Sequence, residues 1–114
     1  MKLTFDQYQE LARRTQNPKL SMAETQLHAL HGLAAEVGEI HSIYQKVYQG
    51  HQFDPEALKE EIGDALWNIA ELCDVNHWRM GDVAMMNISK LRKRYPEGFD
   101  AERSVHRDVY GEDW

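Results

Sequence analysis

Residues 30–47, LHGLAAEVGEIHSIYQKV, decide the fold class of this chain. Apolar side chains recur there at intervals of three or four residues, at Leu30, Leu33, Val37, Ile40, Tyr44 and Val47. This spacing follows the 3.6-residue repeat of an α-helix. A clear alternating run of β-branched residues, which would indicate a strand, is found nowhere in the sequence. The stretch therefore predicts a long amphipathic helix.

The same spacing recurs before and after this segment, and the signals for helix starts agree with it. Four positions carry a side chain typical of an N-cap: Thr4 (with Gln7), Ser21 (with Glu24), Asp54 (before Pro55) and Asp82. The sequence predicts an all-α chain of four helices, at roughly 4–16, 21–49, 55–78 and 82–95, and a loop-rich tail over 97–114. Glycine costs about 1 kcal/mol inside a helix, so Gly32 and Gly38 are candidate break points in the second helix.

Composition restricts the class of protein. A chain of 114 residues predicts a single domain over 1–114, and 42% hydrophobic with 28% charged residues is typical of a folded globular protein. The net charge of −6 argues against nucleic acid or an anionic membrane as a partner. The single Cys73 excludes an intramolecular disulfide and indicates a reducing compartment. With no apolar run of about 18 residues, we expect a cytoplasmic protein.

Two pairs of carboxylates stand out on the second and third predicted helices. Glu36 with Glu39, and Glu61 with Asp64, are each spaced i, i+3, so both members of a pair project from one side of their helix. At about 100° per residue, Glu36 and Glu61 fall in or beside the apolar arcs of their helices. Carboxylates gathered in a partly dry site must protonate or bind cations, and Mg²⁺ prefers such oxygen ligands. The spacing alone leaves a metal site and a solvated acidic face both open.

Polar residues on the third and fourth helices are candidates for binding a phosphate-bearing ligand. Asn87, Lys90 and Arg94 share one helix face, where they could hold phosphate oxygens or form a solvated basic patch. Asn68 lies one turn beyond Asp64, and either contacts a ligand or is a buried, satisfied amide. Trp67 remains open between the core, a dimer interface and stacking on a base.

The six histidines form no recognisable ligand set. No glutamate is followed by histidine three residues later, which argues against the di-iron chemistry of ferritin-like bundles. HExxH and EF-hand patterns are also missing from the sequence. We therefore expect most of the histidines to be surface residues.

Three segments taken together resemble the MazG-like nucleotide pyrophosphohydrolases, an all-α group that includes the dimeric dUTPases and phosphoribosyl-ATP pyrophosphohydrolase. They are EVGEI at 36–40, EEIGDALW at 60–67 and KLRKRYPEGF at 90–99. The resemblance implies a helical bundle completed by dimerisation, often within a tetramer. It implies hydrolysis of nucleoside triphosphates between the α and β phosphates, with Mg²⁺ as cofactor and Mn²⁺ as a substitute.

The resemblance also assigns roles to individual residues. The family's metal-binding and catalytic carboxylates fall on Glu36, Glu39, Glu61 and Asp64. Its basic substrate contacts fall on Lys90 and Arg94, to which we add Asn68 and Asn87 as candidates. Many members carry a second glutamate in the first segment, where this chain has Ala35, so the number of bound metals is left open. The competing hypothesis is a non-catalytic helical dimerisation or regulatory module. The preferred base and sugar are not indicated.

Overall fold

The computed structural model describes residues 2–106, and these residues form helices without a β-strand. The helices are α1 (Phe5–Arg13), α2 (Met22–Tyr48), α3 (Pro55–Val75), α4 (Met80–Arg94) and α5 (Ala101–Val105). The all-α prediction is confirmed. Within this described range no helix has both the length and the apolarity needed to cross a bilayer. Residues 2–80 and 81–106 form two compact units, which are described separately below.

Local capping accounts for the starts of the first three helices. Two predicted capping boxes are present, and the carboxylate of Asp54 accepts the N–H of Ala57 at 3.1 Å. The prediction that Asp82 caps α4 is wrong, because this helix begins two residues earlier at Met80. The N–H of Met80 donates to the side-chain oxygen of Gln9 at 2.7 Å. A side chain from α1 therefore takes the place of a local cap, which no local sequence signal shows.

The ends of α1 and α3 come earlier than predicted. After Arg13 the chain continues only as turns with i→i+3 hydrogen bonds, and α3 ends at Val75. His77 adopts a left-handed conformation, with φ of +60°, and the N–H of Trp78 donates back to the carbonyl of Cys73 at 2.9 Å. This is the geometry that commonly terminates helices, with histidine where glycine is usual.

The second helix does not break. It runs without interruption through Gly32 and Gly38, so the candidate break points are wrong. Gly32 has a packing role instead, since a Cβ placed there would lie 2.1 Å from the side-chain oxygen of Asn68. The absent side chain lets Asn68 of α3 pack directly on the backbone of α2.

The predicted tail is helical in part. Asp100 caps the five-residue helix α5 by accepting the N–H of Glu102 at 2.9 Å, which the prediction of a loop-rich segment missed. The last part of this tail, residues 107–114, lies outside the described residues.

The packing of α3 against two neighbours creates the setting of the site. α2 and α3 pack antiparallel along a contact that we call the α2–α3 seam, and α1 packs on α3. The buried hydrophobic residues of this unit are few, namely Ala12, Ala29, Ala70, Cys73 and Met80. Many larger apolar side chains of α2 and α3 stay exposed.

Candidate metal centre

Three of the four predicted carboxylates come together at the α2–α3 seam. Glu36 of α2 lies opposite Glu61 and Asp64 of α3, and one carboxylate oxygen from each lies within 4.8 Å of the others. Glu36 and Glu61 are half-buried, whereas Asp64 is exposed. We call these three residues the carboxylate cluster. Their i, i+3 and cross-helix arrangement follows from the antiparallel packing, which sets the two acidic pairs at the same level.

Glu39, the fourth predicted ligand, lies outside the cluster. Its side chain is exposed, one turn beyond Glu36 on the same helix. Its negative charge still acts on Glu36, as the smallest of the effects that raise the pKa of that residue. A role for Glu39 as a ligand or as a base stays a prediction.

The electrostatics of the cluster are those of a site that lacks positive charge. The pKa of Glu36 is raised to about 7, first by a hydrogen bond with Glu61, then by burial, and then by the charges of Glu61, Asp64 and Glu39. The second oxygen of Glu36 is buried and has no hydrogen-bond partner. No basic side chain of residues 2–80 forms an ion pair with the cluster.

These observations fit a hard divalent cation. The donor set consists entirely of carboxylate oxygens, which suits Mg²⁺ or Mn²⁺ and does not suit softer metals. A cation would supply the charge that the cluster lacks and a partner for the unpaired oxygen of Glu36. A purely solvated acidic face, the alternative reading of the sequence, would leave the Glu36 carboxylate in water instead of half-buried.

Asn68 lies next to the cluster but is turned into the seam. It is buried, its side-chain nitrogen donates to the carbonyl of Asp64 at 2.9 Å, and its oxygen packs against Gly32. This geometry agrees with the satisfied-amide interpretation for the nitrogen. A contact between Asn68 and substrate stays a prediction.

A polar pair that the sequence interpretation missed lies further along the seam. Glu71 is 1% exposed and its carboxylate lies 2.6 Å from Nδ1 of His28, whose side chain is 51% exposed. The second oxygen of Glu71 is buried without a hydrogen-bond partner. Spacing could have revealed this pair, because Glu71 follows Asp64 by seven residues and so lies on the same face of α3. All six histidines are nevertheless exposed, as expected.

Trp67 packs against the buried core of this unit. Its indole N–H donates to the hydroxyl of Thr15 at 2.8 Å, so the ring is tied to the chain that follows α1. The His28 ring meets the indole edge to face, with centroids 6.2 Å apart. The core interpretation of Trp67 agrees with these contacts.

The remaining predicted residues lie on α4, in the second unit. Asn87 is exposed, whereas Lys90 and Arg94 are half-buried. The guanidinium of Arg94 lies 5.8 Å from the centre of the Tyr95 ring, and Arg103 donates to the carbonyl oxygen of Arg94. These contacts fix the last turn of the helix. The roles of Asn87, Lys90 and Arg94 in binding a substrate stay predictions.

A cavity of about 580 Å³ lies elsewhere, between α1 and the turn that joins α3 to α4. Two ion pairs join charges of its lining: Arg13 bonds Asp74 at 2.6 Å, and Arg79 bonds Asp6 at 3.0 Å. We therefore assign the candidate site to the carboxylate cluster, which forms no ion pair with a basic side chain of residues 2–80, and not to this cavity.

Comparison with known proteins gives one result. Residues 24–99 match the sequence profile of the MazG nucleotide pyrophosphohydrolase domain. The matched range includes the carboxylate cluster together with Glu39, Asn68 and the candidate residues of α4. No significant match was found among curated proteins or among solved structures.

Proposed function

The chain belongs to the MazG nucleotide pyrophosphohydrolase family, and from this premise we propose that it hydrolyses nucleoside triphosphates between the α and β phosphates. The products are a nucleoside monophosphate and pyrophosphate. The observation that carries the proposal is the carboxylate cluster, whose oxygens lie within 4.8 Å of one another inside the matched region. A non-catalytic helical module would have no need for half-buried carboxylates that form no ion pair with a basic side chain of residues 2–80.

Glu36, Glu61 and Asp64 would hold Mg²⁺, with Mn²⁺ as a substitute. When bound, the cation would neutralise phosphate charge and lower the pKa of an attacking water. The half-buried position of Glu36 and Glu61 supports this role, because burial keeps their oxygens from being fully hydrated.

The chain's own residues would complete the reaction. Glu39 is exposed beside the cluster and would accept the proton of the attacking water, with Glu36 as the alternative base. Lys90 and Arg94 would bind the β and γ phosphates and stabilise the departing pyrophosphate, for which the planar guanidinium of Arg94 offers a bidentate contact. Asn68 and Asn87 are the remaining proposed substrate contacts.

Product analysis tests this proposal directly. The purified protein is incubated with Mg²⁺ and a panel of normal and modified nucleoside triphosphates, and the products are separated by ion-exchange chromatography. Equal amounts of monophosphate and pyrophosphate are expected. Release of orthophosphate with a diphosphate would contradict the bond assignment, and an absence of turnover across the panel would contradict the enzymatic function.

A second copy of the chain is the proposed macromolecular partner. Leu30, Val37 and Tyr44 repeat every seven residues on α2, and Ile62 and Ile69 do so on α3; their exposed fractions range from 37% to 53%. Residues seven apart lie on one stripe of a helix, so each helix presents an apolar stripe that a partner helix would cover.

Light scattering on the wild type and on Val37→Glu tests this assembly. The wild type is expected to be a dimer or tetramer, and the variant to shift toward the monomer because a charge would enter the interface. Tyr48→Glu is the matched control, since Tyr48 is 93% exposed at the end of α2. A wild type that is monomeric at micromolar concentration would contradict the proposal.

We propose no nucleic acid and no membrane as a partner, because the net charge is −6. A cytoplasmic location remains a proposal. It is supported by the single cysteine, Cys73, which is a buried free thiol.

A further inference from the structure

Polar side chains continue along the α2–α3 seam beyond the carboxylate cluster. In order along the antiparallel helices come Glu36 with Asp64, then Gly32 with Asn68, then His28 with Glu71. His28 lies eight residues before Glu36, which corresponds to about 12 Å along the axis of a helix. That distance is on the scale of a nucleotide extended away from its phosphates.

The burial of the Glu71 carboxylate is unfavourable for the free energy of folding. Its side chain is 1% exposed, next to the buried residues Ala70 and Cys73, and one of its carboxylate oxygens lacks a hydrogen-bond partner. Burying a carboxylate with incomplete pairing costs free energy, and replacing such a pair with apolar residues is often neutral or stabilising. Packing alone therefore does not explain a glutamate at this position, whereas fixing the orientation of His28 does.

His28 is presented in a defined orientation at the edge of the seam. Glu71 bonds its Nδ1 at 2.6 Å, which leaves Nε2 as the ring nitrogen for a ligand, and the side chain is 51% exposed. The neighbouring indole of Trp67 is itself fixed by its hydrogen bond to Thr15. A half-exposed imidazole held by a buried carboxylate has the form of a binding group that is oriented before its ligand arrives.

We propose that His28, oriented by Glu71, determines specificity by binding the nucleoside half of the substrate. The ligand atom is a polar atom on the base edge or a hydroxyl of the sugar, bonded through Nε2 of the imidazole. This inference rests on the proposed function, because it takes the carboxylate cluster as the phosphate end of the site. His28 contacts the substrate, and Glu71 is a positioning residue.

Steady-state kinetics and calorimetric binding of nucleotide with Mg²⁺ test the proposal in the full chain. His28→Ala is expected to raise KM and the dissociation constant of the best substrate about tenfold, as for loss of one good hydrogen bond, while kcat changes little. Comparing ribo-, deoxy- and dideoxynucleotides identifies a sugar contact, and comparing the bases identifies a base contact. In one of these two series, the KM values of the substrates should lie closer together for His28→Ala than for the wild type.

Variants of Glu71 test its role as a positioning residue. A purely structural role would change the melting temperature, whereas a positioning role changes KM. Glu71→Gln keeps a hydrogen-bond acceptor for Nδ1 and should retain most of the affinity. Glu71→Leu should raise KM as His28→Ala does, without lowering the melting temperature. His31→Ala is the matched control, because His31 is an exposed histidine one turn further along α2.

The outcomes separate this inference from the proposed function. A wild type that turns over nucleotides while His28→Ala leaves KM and binding unchanged, or weakens all substrates equally, overturns the inference alone. A wild type that releases no pyrophosphate from any nucleotide overturns the proposed function. Nucleotide binding would then decide the role of His28, and binding that is absent or insensitive to His28→Ala would overturn the inference as well.

Discussion

The middle and the C-terminal end of α3 carry the same kind of side chain in opposite electrostatic settings. Asp74, near its C-terminus, accepts the Nε–H of Arg13 on both carboxylate oxygens and a second hydrogen bond, at 2.6 Å, from Nη2. Asp64, ten residues earlier, faces Glu36 and Glu61 and has no basic partner within residues 2–80. Asp74 is paired by a basic side chain of the fold, whereas Asp64 lies among other carboxylates.

This difference shows why the presence or absence of ion pairs locates the candidate metal site better than the volume of a cavity does. The cavity of about 580 Å³ lies at the Asp74 end, where the fold has already paired Arg13 with Asp74 and Arg79 with Asp6. At the carboxylate cluster, by contrast, no basic side chain of residues 2–80 forms an ion pair, and the neighbouring charges help to raise the pKa of Glu36. A ligand that brings positive charge is therefore expected at Asp64 and not at Asp74.

The largest expected effect is on turnover. Asp64→Asn or Glu61→Gln should reduce kcat at least about 100-fold while leaving the helical content unchanged, because each removes a charged ligand of the cation. Lys90→Ala and Arg94→Ala should cause smaller losses, because the cation still neutralises part of the phosphate charge.

Neighbouring and distant carboxylates supply the controls for this kinetic prediction. Glu60→Gln alters an exposed glutamate beside Glu61 and should retain activity, as should Asp74→Asn in whatever fraction of the protein stays folded. If Glu60→Gln lost as much turnover as Glu61→Gln, the assignment of the cation site to the carboxylate cluster would be contradicted.

The same change of aspartate to asparagine should affect the free energy of unfolding in opposite directions at Asp74 and at Asp64. Asp74→Asn breaks the ion pair with Arg13 and should lower the free energy of unfolding by about 1–2 kcal/mol. Asp64→Asn relieves repulsion from Glu36 and Glu61, so the cation-free protein should melt at the same or a higher temperature. Thermal unfolding in EDTA measures both, and equal destabilisation by the two variants would refute the contrast.

The dependence of stability on pH should also separate the cluster from the rest of the molecule. The pKa of Glu36 is about 7 in the folded protein, above its ordinary value of 4.5. Between these two values the folded state holds a proton that the unfolded state has lost, so the stability contributed by this proton is lost as pH rises through the window. In EDTA the wild type should lose more stability from pH 5 to 7.5 than Glu36→Gln does.

Millimolar Mg²⁺ provides the complementary measurement on the same protein. A cation bound to the folded state raises the melting temperature, and above pH 7 it no longer competes with the Glu36 proton. The stabilisation by Mg²⁺ should therefore be larger at pH 7.5 than at pH 5.5, and it should be lost in Asp64→Asn but not in Asp74→Asn. A melting temperature that is the same in EDTA and in Mg²⁺ at pH 7.5 would contradict a metal site.

The smallest expected effect concerns the turn that follows the C-terminus of α3. His77→Gly removes the cost of a left-handed conformation, which is about 1 kcal/mol for a residue with a Cβ, and glycine's greater freedom when unfolded offsets part of this gain. The melting temperature should rise by a few degrees or less, and turnover should not change. A clear loss of stability would mean that the His77 side chain makes a compensating contact.

Features that depend on residues close in the sequence could be predicted, and features that depend on residues far apart in the sequence could not. Thr4, Ser21 and Asp54 cap their helices through partners three residues away, so these starts could be predicted from the sequence. The start of α4 could not, because its first N–H bonds the side chain of Gln9, 71 positions earlier. The i, i+3 spacing likewise indicated which carboxylates share a helix face, but only packing shows that Glu36, Glu61 and Asp64 meet while Glu39 lies outside their group.

The sequence by itself determined that the described chain is helical, and it determined the acidic pairs on facing helices, because both depend on periodicity within one helix. Tertiary structure decided which carboxylates lack a counter-charge. Asp74 finds Arg13 only because α1 packs on α3, and Glu71 finds His28 only because α2 runs antiparallel to α3. The physical reason is that electrostatic free energy depends on distances between charges that are remote in the chain.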